Sequence, residues 1–227
     1  MTAMFLRSII PFLVLAAAVA APAQAAPSLT PLEPCYVVAQ VDQRQPITVE
    51  AAGFTPFQKV DVFIDDVWQI TAPVLLYGDI KGSVLPPFIE EGTRPFTLRL
   101  SEVGTPANTL TQTTMVTRLA VEQSPRSAST NQRVRFKGRG FLDKAPVYAH
   151  YVFAGKARKS VKLKTPSGPC GTFTVRRDQF PFRKAPARGK WTIQFDQNPY
   201  YSATAPVRVP LTVTVRKMPK QASARAR

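Results

Sequence analysis

The segment ITVEAAGFTPFQKVDVFID, residues 47–65, sets apolar side chains at alternate positions on both sides of a Gly-Phe pair. A second segment, VRFKGRGFLDKAPVYAHYV, residues 134–152, has the same layout. Laid over one another, Ile47, Val49, Gly53, Phe54, Val60 and Ile64 fall on Val134, Phe136, Gly140, Phe141, Val147 and Tyr151. Alternation with a period of two marks strands with one buried face. The Gly at the end of the first run eases a turn, and the Phe after it is placed to plug the end of a sandwich.

The copying extends outward in both directions. Gly82-Ser83-Val84 falls near Gly171-Thr172-Phe173, and GTRPFTLRL from Gly92 falls near GKWTIQF from Gly189. Each copy closes on an alternating strand, TMVTRLAV from Thr114 and VPLTVTV from Val209. In the second copy Val147, Ala149, Tyr151 and Phe153 share one face, as do Trp191, Ile193 and Phe195. With 22 prolines and a charged fraction of only 19%, the composition suits short strands joined by Pro- and Gly-marked turns, and no long amphipathic helix is legible. The expected fold is all-β, two tandem β-sandwich domains over residues 33–117 and 118–216.

The GFTPFQKVDV portion resembles the G-F-x-P-x-x-x-V-x-V segment of bacterial immunoglobulin-like domains of secreted and cell-surface proteins. The second copy, GRGFLDKAPVYAHYV, is similar but lacks the Pro after the Phe. The resemblance implies two immunoglobulin-like sandwiches in tandem. It implies little about function, because such folds host many activities.

Residues 1–25 read as a secretory signal. Arg7 gives a positive start, an apolar run follows from Ile9 to Ala21, and Ala23-Gln24-Ala25 offers small residues at a cleavage site. The run is shorter than the ~20 residues a bilayer-spanning helix needs. An exported protein with two cysteines, Cys35 and Cys170, is expected to form one bridge joining the two domains, with free thiols or an intermolecular bridge as the alternatives.

Charge is divided sharply. Residues 33–117 hold ten acidic and five basic side chains, and residues 118–227 hold four acidic and 24 basic ones. In QRVRFKGRG, the bases Arg133, Arg135, Lys137 and Arg139 share the parity opposite to Val134 and Phe136. In KARKSVKLK, Lys156, Arg158, Lys162 and Lys164 share one parity and Ala157, Val161 and Leu163 the other, with Lys159 the exception near a bend. If the two stretches pair, eight bases occupy one sheet surface. Solubility calls for mixed signs, and the matching strand of the first copy exposes Thr48 and Glu50 instead. The basic face is therefore read as a polyanion-binding surface for an anionic envelope polymer or acidic glycan, with nucleic acid bound only non-specifically. Residues 217–227 form a basic tail, expected to be disordered. The acidic first copy also permits head-to-tail self-association, and the alternative reading is a protein-recognising adhesin in which charge only tunes solubility.

Catalytic and metal chemistry find little support. There is one histidine, His150, read as a surface or edge residue, and no histidine-based metal site or cofactor motif. Asp65-Asp66 and Glu90-Glu91 are adjacent pairs whose carboxylates diverge on a strand. SGPCG, residues 167–171, lacks the His that the nucleophile motif of L,D-transpeptidases places beside its Cys. Tyr200 and Tyr201, after Asn198-Pro199, are placed in a loop as a candidate partner contact.

Overall fold

The computed structural model describes residues 26–216; the expected signal segment, residues 1–25, and the expected disordered tail, residues 217–227, lie outside the described residues. No helix occurs among the described residues, and the chain is all-β. Its strands are β1 (Ser28–Leu29), β2 (Cys35–Val38), β3 (Ile47–Ala52), β4 (Lys59–Ile64), β5 (Val67–Pro73), β6 (Ile80–Val84), β7 (Thr93–Glu102) and β8 (Thr109–Arg118). They continue as β9 (Ala120–Ser124), β10 (Arg133–Arg139), β11 (Tyr148–Phe153), β12 (Lys156–Lys162), β13 (Phe173–Asp178), β14 (Gly189–Asp196) and β15 (Val209–Val215).

These strands form four sheets, ordered β1-β3-β6, β2-β8-β7-β4-β5, β13-β10-β9 and β12-β11-β14-β15. The first two enclose one core, where Ile47, Val49 and Ile80 meet Val60, Val62, Leu98 and Leu100. The last two enclose a second, where Val134, Phe136 and Phe173 meet Ala149, Tyr151, Ile193 and Phe195. The alternation read from the sequence is the cause: in β10 the pattern Val134, Phe136, Gly138 is buried while Arg133, Arg135 and Lys137 are exposed.

The repeat is carried into the pairing. β3 pairs with β6 as β10 pairs with β13, and β4 lies between β5 and β7 as β11 lies between β12 and β14. Gly53 and Gly140 both take a φ of 86°. Phe54 and Phe141 behind them are buried. One part of the expected alignment is displaced. Val49 faces Gly82 across its ladder, whereas Phe136 faces Val175, so Gly82 does not correspond to Gly171. The true counterpart is Gly78. Gly78 and Gly171 both have positive φ, and a Cβ on either would press on the carbonyl oxygen of Phe54 (2.7 Å) or Phe141 (2.0 Å). Two glycines four residues apart in the first copy made the choice ambiguous in the sequence.

Cys35, opening β2, is disulfide-bonded to Cys170, in the loop before β13, with Cα atoms 5.2 Å apart. The bond ties the two cores together and rules out a free thiolate at Cys170. Around it, the Leu119 N–H donates to the Val38 carbonyl at 2.9 Å, and Val37 and Ala39 pack against the second core.

Candidate anion-binding surface

β10 positions the first basic group. Its neighbours β9 and β13 hold it on both sides, so the alternating side chains cannot rotate between faces without breaking the ladder. Arg133, Arg135 and Lys137 stand together on the outer face. Across β13, Arg176 lies opposite Arg135, Thr174 opposite Lys137 and Asp178 opposite Arg133. Arg176 was missed in the sequence, although the alternation in FTVRRD carries it. Arg139 belongs to the same face but is neutralised: its guanidinium donates to Glu122, and its side chain is only 14% exposed. The hydrogen bond from Arg139 outweighs the partial burial of Glu122, and with Lys137 and Arg126 nearby it holds that carboxyl below the usual range. Among the described residues no carboxylate lies within ion-pair distance of Arg133, Arg135, Lys137 or Arg176.

The second basic group lies elsewhere, which corrects the expected single surface. β12 pairs with β11 alone, at the edge of the four-stranded sheet, and never meets β10. Sequence parity also fails within β12. The register shifts between Tyr151 and Val152, leaving Arg158 without a partner in the ladder. An extra residue of this kind reverses which side chains face outward. Lys162 lies opposite Tyr148, but Lys156 lies opposite Phe153, on the side that carries Tyr151 into the core. Lys164 is exposed beyond the end of β12. The eight bases therefore do not share one face.

The loop between β13 and β14 links the two groups around the rim of the sandwich. Lys159 Nζ donates to the Pro181 carbonyl at 2.5 Å and sits 6.0 Å from the Phe182 ring centroid. On one side of Pro181 is a shallow hollow of about 360 Å³ bordered by Arg133, Arg176, Arg177 and Asp178. On the other is one of about 380 Å³ bordered by Arg158, Arg183 and Lys184 over Phe153 and Phe182. Such a rim, mostly basic and with an apolar floor in the second hollow only, suits a flexible polyanion better than a compact ligand, because neither hollow is enclosed.

The remaining site residues resolve differently. His150 is not a surface residue but is wholly buried. It points away from the core, yet the loop between β14 and β15 folds back over it, and the Tyr201 ring lies 6.0 Å from the imidazole. Nδ1 is 2.7 Å from Ser160 Oγ, and Nε2 is 3.1 Å from both Asp196 Oδ1 and the Asn198 carbonyl. With two acceptors at Nε2, that nitrogen carries a proton, and Nδ1 is paired with the Ser160 hydroxyl. Burial pulls the Asp196 carboxyl up, but hydrogen bonds from His150, Gln194 and the Asn198 N–H outweigh it and hold the group below its ordinary value. The network fastens the loop to the sheet. It leaves Tyr200 79% exposed and Tyr201 packed beneath. In the first core's sheet, Asp65 and Asp66 are paired with Arg94 and Arg99, and Asp61 accepts from Thr71.

No protein-family model matches the chain, and no curated protein matches it. Among solved structures, the chain is similar to the SGBP-B protein of the Bacteroides ovatus mixed-linkage glucan utilization locus, in complex with a mixed-linkage heptasaccharide, at 15% identity and a TM-score of 0.24. It is also similar to a membrane-anchored protein from Corynebacterium diphtheriae, at 13% identity and a TM-score of 0.30. The likenesses cover 85% and 84% of this chain, and the chain spans about half the length of each, 48% and 56%. At these identities and scores neither likeness carries a fold or a function to this chain.

Proposed function

We propose that the protein is an exported, non-enzymatic attachment protein of two immunoglobulin-like modules, residues 33–117 and 118–216. In this reading the second module holds to anionic polymers of the cell envelope or to acidic glycans. The observation that carries it is the cluster of Arg133, Arg135, Lys137 and Arg176 on two adjacent strands, with no carboxylate in ion-pair reach among the described residues. Four unpaired bases held on a rigid ladder lose little freedom when a chain of fixed anions lies across them, and the gain comes from release of the polymer's counterions. The other reading is plain surface charge; the contrast between Arg139, paired with Glu122, and the four bases without such a pair favours attachment.

The test is binding of the full mature chain to polyglycerol phosphate, with neutral dextran as control, over a salt series. Four contacts give log affinity against log salt a slope of about −3. Replacing Arg133, Arg135 and Arg176 together with Gln should flatten the slope to about −1 and leave the melting profile unchanged. Salt-independent binding, or equal binding by the triple variant, would overturn the reading.

A further inference from the structure

The end of the first sandwich farthest from the second is apolar. Three loops meet there: residues 53–58 between β3 and β4, 74–79 between β5 and β6, and 103–108 between β7 and β8. They are stitched together, with the Phe57 N–H donating to the Val74 carbonyl, Phe54 N–H to Gly78 and Val103 N–H to Lys59. On this tip Phe57 is 76% exposed, Tyr77 84%, Leu76 58%, Leu75 55% and Val103 46%.

Phe57 is held outward at a cost. Thr55-Pro56-Phe57-Gln58 forms a turn closed by the Gln58 N–H donating to the Thr55 carbonyl at 3.2 Å. Pro stands at its second position, and Phe57, at the third, has φ of 64°. That position takes Gly or Asn in turns of this kind, and a bulky aromatic there is strained. Folding gains nothing from it, because the ring is left in water. A strained, exposed aromatic beside four exposed aliphatic and aromatic neighbours has the character of a contact surface.

We propose that this tip is the interface of a symmetric dimer, in which Phe57, Leu75, Leu76, Tyr77 and Val103 of one chain pack on the same residues of a second copy. The size fits. The two aromatics alone expose on the order of 300 Å², and the whole patch reaches the upper end of the roughly 300–600 Å² of the largest patch on a monomer. A standard interface takes about 800 Å² from each partner, a little over half of it apolar. The partner also follows from the rest of the surface. The other exposed large apolar residues fall in smaller groups elsewhere, among them Val67 with Trp68 at the start of β5, Val41 with Val207 along one hollow, and Tyr200 in the loop between β14 and β15. The apolar counterpart that this protein itself offers to the tip is therefore the same tip of another copy, which makes the contact isologous. No basic residue except Lys59 lies in or beside these loops, so an anionic lipid surface is a poor match. In the dimer the two basic modules stand at opposite far ends. Resting on the attachment reading above, this gives two-point binding to a long polymer and a gain in avidity without new contacts.

The experiment is sedimentation of the full mature chain from low to several hundred micromolar, at low and high salt. A salt-insensitive dimer is expected, weakened at least tenfold by Phe57→Gly and further by adding Tyr77→Ser, with the melting profile retained because Gly relieves the turn. A Tyr77→Cys variant should form a covalent dimer on mild oxidation, whereas Ser127→Cys, exposed at the far end of the second module, should not. A monomer at all concentrations, a dimer indifferent to Phe57→Gly, or cross-linking at residue 127 instead of 77 would overturn the proposal. A salt-dissociated association would replace it with contact between acidic and basic modules. None of these outcomes bears on polymer binding by the monomer, so the attachment reading is judged separately.

Discussion

Replacing Gly138 with Ala tests how the sheet that carries the basic ladder is packed. Ordinarily the change would help, since Gly in a strand is about 0.5–1 kcal/mol worse than Ala. Here an added Cβ would lie 2.1 Å from Cε1 of Phe173, 2.6 Å from Cζ and 2.8 Å from Cδ1. Carbon atoms rest about 3.5–4.0 Å apart, so the ring must retreat by more than an ångström. It has little room, being 3% exposed and packed edge-on against Phe141 at 5.5 Å. Overpacking of this sort costs about 1–3 kcal/mol. Set against the strand preference, Gly138→Ala should destabilise by about 1–2 kcal/mol. The first core supplies the remedy. Gly138 faces Phe173 on the rung where Ala51 faces Ile80, so the two copies hold the same space with opposite size choices. Phe173→Ile alone should also destabilise, by leaving a void over Gly138. The double variant should recover most of both losses, a coupling of about 1–2 kcal/mol. The assay is urea unfolding of the oxidised chain read through Trp191, which lies in the second core, in a Trp68→Phe background. Additive losses, or a Gly138→Ala protein as stable as the parent, would refute the reasoning.

Two further outcomes concern single groups. The Tyr151 hydroxyl is buried without a hydrogen-bond partner among the described residues, and burial pushes its pKa up to about 12; Tyr151→Phe should therefore stabilise the second core by about 1 kcal/mol in the same unfolding assay, and a loss would show that the hydroxyl has a partner. Asp196 has a folded pKa below its unfolded value, so the stability it contributes is complete above the ordinary carboxylate range and is lost as pH falls through the folded value. Melting of the parent should thus hold from neutrality to about pH 4 and fall below it, and Asp196→Asn should flatten that acid limb; an unchanged limb would place the acid sensitivity elsewhere.

Strand content and the twofold layout were legible because each strand buries one face, and alternation survives in a bare sequence. Ile47 and Val49 against Val134 and Phe136 were enough to align the copies. What failed depended on contacts between distant segments. The bulge opposite Tyr151 shifts β12 by one residue at Arg158, and nothing local in KARKSVK marks it beyond the misfit at Lys159. Which sheet β12 joins is decided by its hairpin with β11, through the Ala154-Gly155 turn, not by its charges. His150 has the parity of an outward residue, and it does point outward; the loop carrying Tyr201 then covers it. Burial by a returning loop leaves no periodic trace. Arg176 was legible and overlooked, since Thr174, Arg176 and Asp178 alternate with Phe173 and Val175.

The bond between Cys35 and Cys170 encloses 135 residues of sequence separation, including nearly all of the first sandwich. If the second module is held fast and the amino-terminal end is pulled, tension runs along residues 26–35, crosses the sulfurs and continues from residue 170. The strands from β3 to β8 lie outside that path. Shear on a chain held in this way would therefore leave the first sandwich slack apart from β1, which the pull would peel from β3.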